Sequence, residues 1–115
     1  NLVKDVLIHW SVKQVAEKVT NDNVEVFDAA SGRGGDQLKF VKAAELVKKR
    51  LCYNAMDIAE AQIVEARKRL SQRLPISNLE CARFFIGDLM ITAPELLKTQ
   101  ESVVRFAVVS IGPKL

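Results

Sequence analysis

The sequence predicts an α/β fold in which a parallel sheet of strand order 3-2-1-4 is flanked by helices. Three observations carry this. Short apolar runs at 24–28, 51–57, 81–87 and 103–111 alternate with segments of helical periodicity, a rhythm that implies right-handed crossovers between parallel strands. The first run leads into a glycine-rich turn, Ser31-Gly32-Arg33-Gly34-Gly35-Asp36. Asp28, Asp57 and Asp88 each stand at the carboxyl end of a run, the side on which open α/β sheets take their ligands.

Taken in order, residues 3–19 read as a helix. Ile8, Val12, Val15, Ala16 and Val19 form its inward stripe, with Val3, Leu7 and Trp10 beside it. His9 and Trp10 are expected to be partly buried against the sheet or a neighbour. Thr20 to Asn23 is a turn cluster. Strand one covers 24–28 and the loop 29–35. Asp36 is placed to cap a helix through Lys49 whose buried face is Leu38, Val41, Ala44, Leu46 and Val47. Strand two is 51–57. A helix over 60–72 turns Ile63, Ala66 and Leu70 inward. After a connection containing Pro75 comes strand three, 81–87. Thr92 can cap a short helix with Pro94 in its first turn. Strand four, 103–111, closes the series. The order 3-2-1-4 is half of a doubly wound fold. The chain is therefore expected to be the N-terminal part of a larger catalytic domain, or to form a homodimer through the bare edge of strand four.

The 115 residues suffice for one domain and are 49% apolar, enough for a core that removes roughly two-thirds of the unfolded surface from water. A net charge of +3 is too mild to argue for nucleic acid. Lys39, Lys42, Lys48 and Lys49 read as a solvated face. Cys52 and Cys81 lie in apolar runs at a spacing that suits neither zinc nor a disulfide framework, so they are expected as buried free thiols. With a single histidine, His9, a histidine-based metal site or catalytic triad is nearly excluded. No apolar run approaches the ~20 residues a membrane span needs. The N-terminus lacks a signal-peptide layout. A soluble, intracellular chain without a membrane partner is expected.

The turn has the build of a nucleotide-cofactor cradle. Its glycines admit backbone torsions and close approaches that side chains would block, and the following helix aims its amide N–H groups at the loop. Asp57 lies 22 residues beyond Gly35, where an acid can accept hydrogen bonds from a ribose diol. NAD and S-adenosylmethionine both suit this pattern. The third glycine of the dinucleotide fingerprint is missing, and Asp88, beside Leu89, can accept from the exocyclic amine of adenine. Both points favour the sulfonium cofactor. Each acid taken singly is equally well read as a turn former.

With those residues in view, nearly the whole chain resembles the S-adenosylmethionine-binding half of the eukaryotic mRNA cap guanine-N7 methyltransferases. That family opens Asn-x-x-Lys-x-x-Leu-Ile, and Asn1 to Ile8 fit this pattern. Its glycine motif, Val-Leu-Asp-Leu-Gly-Cys-Gly-Lys-Gly-Gly-Asp-Leu-x-Lys-Trp, corresponds to Val26 to Phe40. The run Asp57-Ile58-Ala59-Glu60 resembles its second motif, and Phe85-Ile86-Gly87-Asp88 its third.

The resemblance implies a Rossmann-like class I methyltransferase: one S-adenosylmethionine-dependent domain over 1–115, nuclear, binding the capped 5′ end of mRNA. By resemblance Lys4 neutralises the methionine carboxylate of the cofactor. Asp28, Ala30 and Gly32 line the approach to it, Asp57 and Ile58 hold the ribose, Asp88 and Leu89 hold adenine, and Asn1 reaches toward the cap. No catalytic side chain is expected, because guanine N7 offers a lone pair and carries no proton. The sequence also departs from the family: Ala30 replaces its first glycine, Ser31 its cysteine and Arg33 its lysine. In the fourth strand Ala107 replaces an acid and Gly112 a glutamine. These departures favour an alternative, a degenerate methyltransferase-like scaffold or partner module that does not catalyse. On either reading the chain alone is expected to be at best a weak cofactor binder.

Overall fold

A computed structural model describes residues 2–29 and 31–87, and the backbone of 106–109. Helix α1 (Leu2–Lys18) precedes β1 (Asn23–Ala29), α2 (Gln37–Leu46), β2 (Arg50–Asp57), α3 (Glu60–Arg73) and β3 (Leu79–Ile86). The three strands form a parallel sheet with β2 central. Val24 stands opposite Leu51 and Asp28 opposite Ala55 across β1 and β2. Cys52 stands opposite Cys81 across β2 and β3, after an irregularity at Leu51/Cys52. A short segment, β4 (Phe106–Val109), runs parallel beside β1. The short helix expected around Thr92 and the rest of strand four lie outside the described residues.

Burial explains why β2 is apolar from Leu51 to Met56 but for Asn54, whose amide is hydrogen-bonded to Glu25 and the Val26 carbonyl. Residues 51–56 are all buried, as expected of a parallel strand covered on both faces. On one face Val24, Val26, Leu51, Tyr53 and Ala55 pack with Ile8 and Val12 of α1 and with Phe40, Ala43 and Ala44 of α2. Tyr53 is the hub of this face. Its ring lies 5.8 Å from that of Phe40 and meets Phe84 edge-on at 6.3 Å, both within the range of favourable aromatic pairs. On the other face Phe27, Ala29 and Met56 gather with Phe85. Helix α3 buries Ile63, Ala66 and Leu70, the stripe read from the sequence.

Helix α2 corrects the sequence reading in three respects. Its buried residues are Gln37, Phe40, Ala43 and Ala44, while Leu38 and Leu46 are 44% and 60% exposed. The helix begins at Gln37, and the stripe at 37, 40 and 44 takes the sheet. Leu38, Lys42 and Leu46 form a separate stripe turned away from it. Asp36 makes no side-chain cap, because its carboxylate is held by two lysines instead. The helix also stops at Leu46 rather than Lys49. Lys48 adopts a left-handed φ of 59°, and Lys49 N–H closes onto the Ala44 carbonyl at 2.9 Å, which turns the chain into β2. In α1, Val3, Leu7 and Trp10 are exposed rather than packed beside the stripe, Trp10 at 59%. His9 is half-buried. Cys52 is buried but Cys81 only half-buried, and both are free.

Candidate functional site

The site begins where β1 ends. Ser31 N–H still donates to the Met56 carbonyl at 2.9 Å, extending the β1–β2 ladder by one step before the chain turns. Gly32 and Gly34 then take φ of 61° and 83°, a region that costs a non-glycine residue ~1–2 kcal/mol. Gly34 has a second reason to be glycine, since a Cβ there would run into the side chain of Gln37. Two loose bonds close the turn, Gly34 N–H to the Ser31 carbonyl and Gln37 N–H to the Gly34 carbonyl, each 3.3 Å.

Asp57 ties this turn to the next element. Its Oδ2 accepts from Gly32 N–H at 2.9 Å and its Oδ1 from Ala59 N–H at 2.9 Å. The carboxylate at the end of β2 therefore bridges the glycine turn and the start of α3. Each oxygen keeps lone-pair capacity for a further donor, and the residue is only partly buried. Ile58, next to it, is 71% exposed. Gly87 N–H donates to the Asp57 carbonyl at 3.1 Å, which brings the end of β3 to the same place.

Asp28 lies beneath the turn. It is buried, and its Oδ2 accepts the Tyr53 hydroxyl at 2.6 Å. Burial first, then the Asp28 charge and hydrogen bond, raise the Tyr53 phenol well above its ordinary range. Lys4 comes from α1. Its Nζ lies 3.5 Å from Asp36 Oδ2, while Lys39 Nζ lies 3.3 Å from Asp36 Oδ1 and 3.2 Å from Asp5 Oδ1. These four side chains form an alternating chain of charge at the start of α2, one residue beyond Gly35.

Of the residues picked out from the sequence, Lys4, Gly32, Asp28, Asp57 and Ile58 thus gather around the carboxyl ends of β1 and β2. Asn1, Ala30, Asp88 and Leu89 lie outside the described residues. The sequence reading missed Gln37, a polar residue on a buried stripe. Its Nε2 donates to the Ala66 carbonyl of α3 at 2.8 Å, linking the turn to a third element. No apolar pattern marks such a residue. Two buried polar atoms at the turn, Ser31 Oγ and Gln37 Oε1, have no partner among the described residues. A turn with two left-handed glycines, an unmatched hydroxyl and a carboxylate with spare acceptor capacity offers both a donor and acceptors to a polar ligand. Among the described residues no group of three or more His, Cys, Asp or Glu could hold a metal ion, and no helix is long and apolar enough to cross a membrane.

The model of the mRNA (guanine-N(7))-methyltransferase domain matches residues 1–112, and the chain belongs to that family. No curated protein matches the chain.

Proposed function

We propose that this member of the family binds S-adenosylmethionine at the glycine turn and serves the transfer of its methyl group to N7 of the guanine cap of mRNA. One observation carries the reading: the 2.9 Å bond from Gly32 N–H to Asp57 Oδ2. It sets the glycine backbone and the ribose-binding acid side by side at the carboxyl ends of adjacent strands, where a nucleoside and its amino-acid tail would lie. Bound there, the sulfonium supplies an electrophilic methyl group.

In this reading each residue has a limited task. Asp57 accepts the ribose hydroxyls on the lone pairs that Gly32 and Ala59 leave free. Gly32 keeps the backbone open to the amino-acid tail, and Ala30 is assigned to the same approach, with the buried Asp28 nearby in β1. Lys4 turns from Asp36 to the methionine carboxylate, and Lys39 keeps Asp36 neutralised. Ile58 covers the nucleoside, Asp88 and Leu89 hold adenine, and Asn1 reaches the guanine. The acceptor nitrogen needs no base, so the chain contributes alignment, worth up to roughly 7–11 kcal/mol for well-oriented reactants. The same proposal takes the sheet order as 3-2-1-4 and places the protein in the nucleus.

The ion pair of Lys4 with Asp36 favours a second reading, in which the turn is closed by its own charges and the chain is a non-catalytic scaffold. Calorimetric titration with S-adenosylhomocysteine separates the two. The cofactor reading expects saturable binding that Asp57→Ala weakens by about 1.5–3 kcal/mol, roughly ten- to a hundredfold. Asp57→Asn, which keeps an acceptor for Gly32, should give a smaller loss. A folded protein that takes up no S-adenosylhomocysteine would overturn the cofactor reading and leave the scaffold.

A further inference from the structure

The surface where α1 meets α2 carries a groove that adjoins the site, sharing Asp5 and Lys39 with its charge chain. Seven of the eleven large apolar side chains exposed among the described residues belong to these two helices. Val3, Leu7 and Trp10 follow one another at helical spacing along α1, and Leu38 and Leu46 do so along α2, with Lys42 between them. Between the helices runs a groove of about 490 Å³, walled by Val6 and His9 on one side and by Leu38, Lys42 and Leu46 on the other. Exposed apolar surface rimmed by charge is a candidate interaction site.

The charges decide what fits. Asp5 and Asp36 are already matched by Lys39 and Lys4. Lys42 has no ion-pair partner among the described residues, so the uncompensated charge on the groove wall is positive. His9 Nδ1 is buried there with no hydrogen-bond partner among the described residues. We propose that this groove binds an amphipathic helix of a partner protein, with leucine-like residues in the trough and carboxylates on the flank that meets Lys42. Helix-in-groove docking uses anchors at helical spacing, which is the spacing of both walls. An extended peptide would need an unpaired backbone edge, and two helices offer none. A nucleic-acid track would need several free cations rather than one between leucines. A second copy docked two-fold on the same face would bring Lys42 toward its own counterpart.

Trp10 is the only tryptophan, is exposed and directly follows His9 of the groove wall, so its fluorescence serves as the reporter. The probes are two synthetic amphipathic helices with the same leucine pattern, one flanked by glutamates and one by lysines, titrated into the full chain. The expected result is a saturable blue shift of Trp10 with the acidic helix and binding weaker by about tenfold with the basic one. Lys42→Glu, at an exposed position, should remove that preference while far-ultraviolet dichroism stays unchanged. Leu38→Asp should weaken both. No shift with either helix would overturn the proposal. So would equal binding of both helices, or a blue shift that grows with protein concentration alone, which would give the face to a second copy.

Discussion

At the scale of single residues, the glycine turn separates what the sequence made look equivalent. Gly32, Gly34 and Gly35 read alike in the motif, yet only the first two take positive φ. An added Cβ would meet nothing within 4 Å at Gly35 but the Gln37 side chain at Gly34. Gln37 cannot swing aside, because it is buried and its amide is bound to the Ala66 carbonyl. Gly34→Ala should therefore cost about 2 kcal/mol or more, from the left-handed backbone and the collision together. Gly35→Ala should stay within about 0.5 kcal/mol. Urea midpoints of the two variants against the parent check the contrast, and equal losses would mean that the turn does not have these torsions. Asp36 carries the complementary lesson. The sequence marks it as a cap by position, but whether a carboxylate caps a helix or pairs with a lysine depends on which cations the fold brings near, and Lys4 comes from a helix 32 residues away in the chain.

At the scale of elements, periodicity located each described helix and strand to within a few residues, because the elements bury what their patterns advertise. In α3 the stripe of Ile63, Ala66 and Leu70 is the one buried. In α2 the rule held only in part: Ala44 is buried and Val41 and Val47 pack against the core, but Leu38 and Leu46 do not. The helix has two stripes: Leu38 and Leu46 line the open groove, while Gln37 goes inside with Phe40, Ala43 and Ala44. Hydrophobicity could not identify Gln37 as interior. Only the carbonyl of Ala66, supplied by another element, makes its burial tolerable. The compensation is partial, since Oε1 has no partner among the described residues, and a buried unmatched acceptor costs about 1–3 kcal/mol. Gln37→Leu removes that atom at similar volume and gives up one hydrogen bond. It should leave stability unchanged or raise it by about 1 kcal/mol, measured as the urea midpoint. A clear loss would mean that the link from α2 to α3 outweighs the orphaned oxygen.

At the scale of the whole molecule, β2 holds the two faces together, and it carries a titratable group on each. Tyr53 lies among α1, α2 and β1. Cys52 points to the opposite face, in register with Cys81. The sequence showed both as members of an apolar run, but their proton affinities depend on neighbours from other strands. Burial, then the Cys81 thiol, push Cys52 from its ordinary 9.0 up to about 12. Burial and Asp28 lift Tyr53 above its ordinary 10.0. Both groups are neutral when protonated, so the folded state keeps protons that the unfolded chain releases. Where the unfolded state binds fewer protons, stability falls as pH rises. This contribution is intact below pH 9 and is lost as the medium passes from there toward pH 12. Because the two groups sit on opposite faces of one central strand, ionising either opens the same core, and the loss should appear as a single cooperative transition moving to lower urea with rising pH. Tyr53→Phe should start from lower stability, since it leaves the buried Asp28 carboxylate without its hydroxyl donor, yet descend less steeply in alkali. Cys52→Ala should also flatten the descent, from the other face. A parent protein whose urea midpoint holds level above pH 9 would mean that neither side chain is enclosed by the sheet as described.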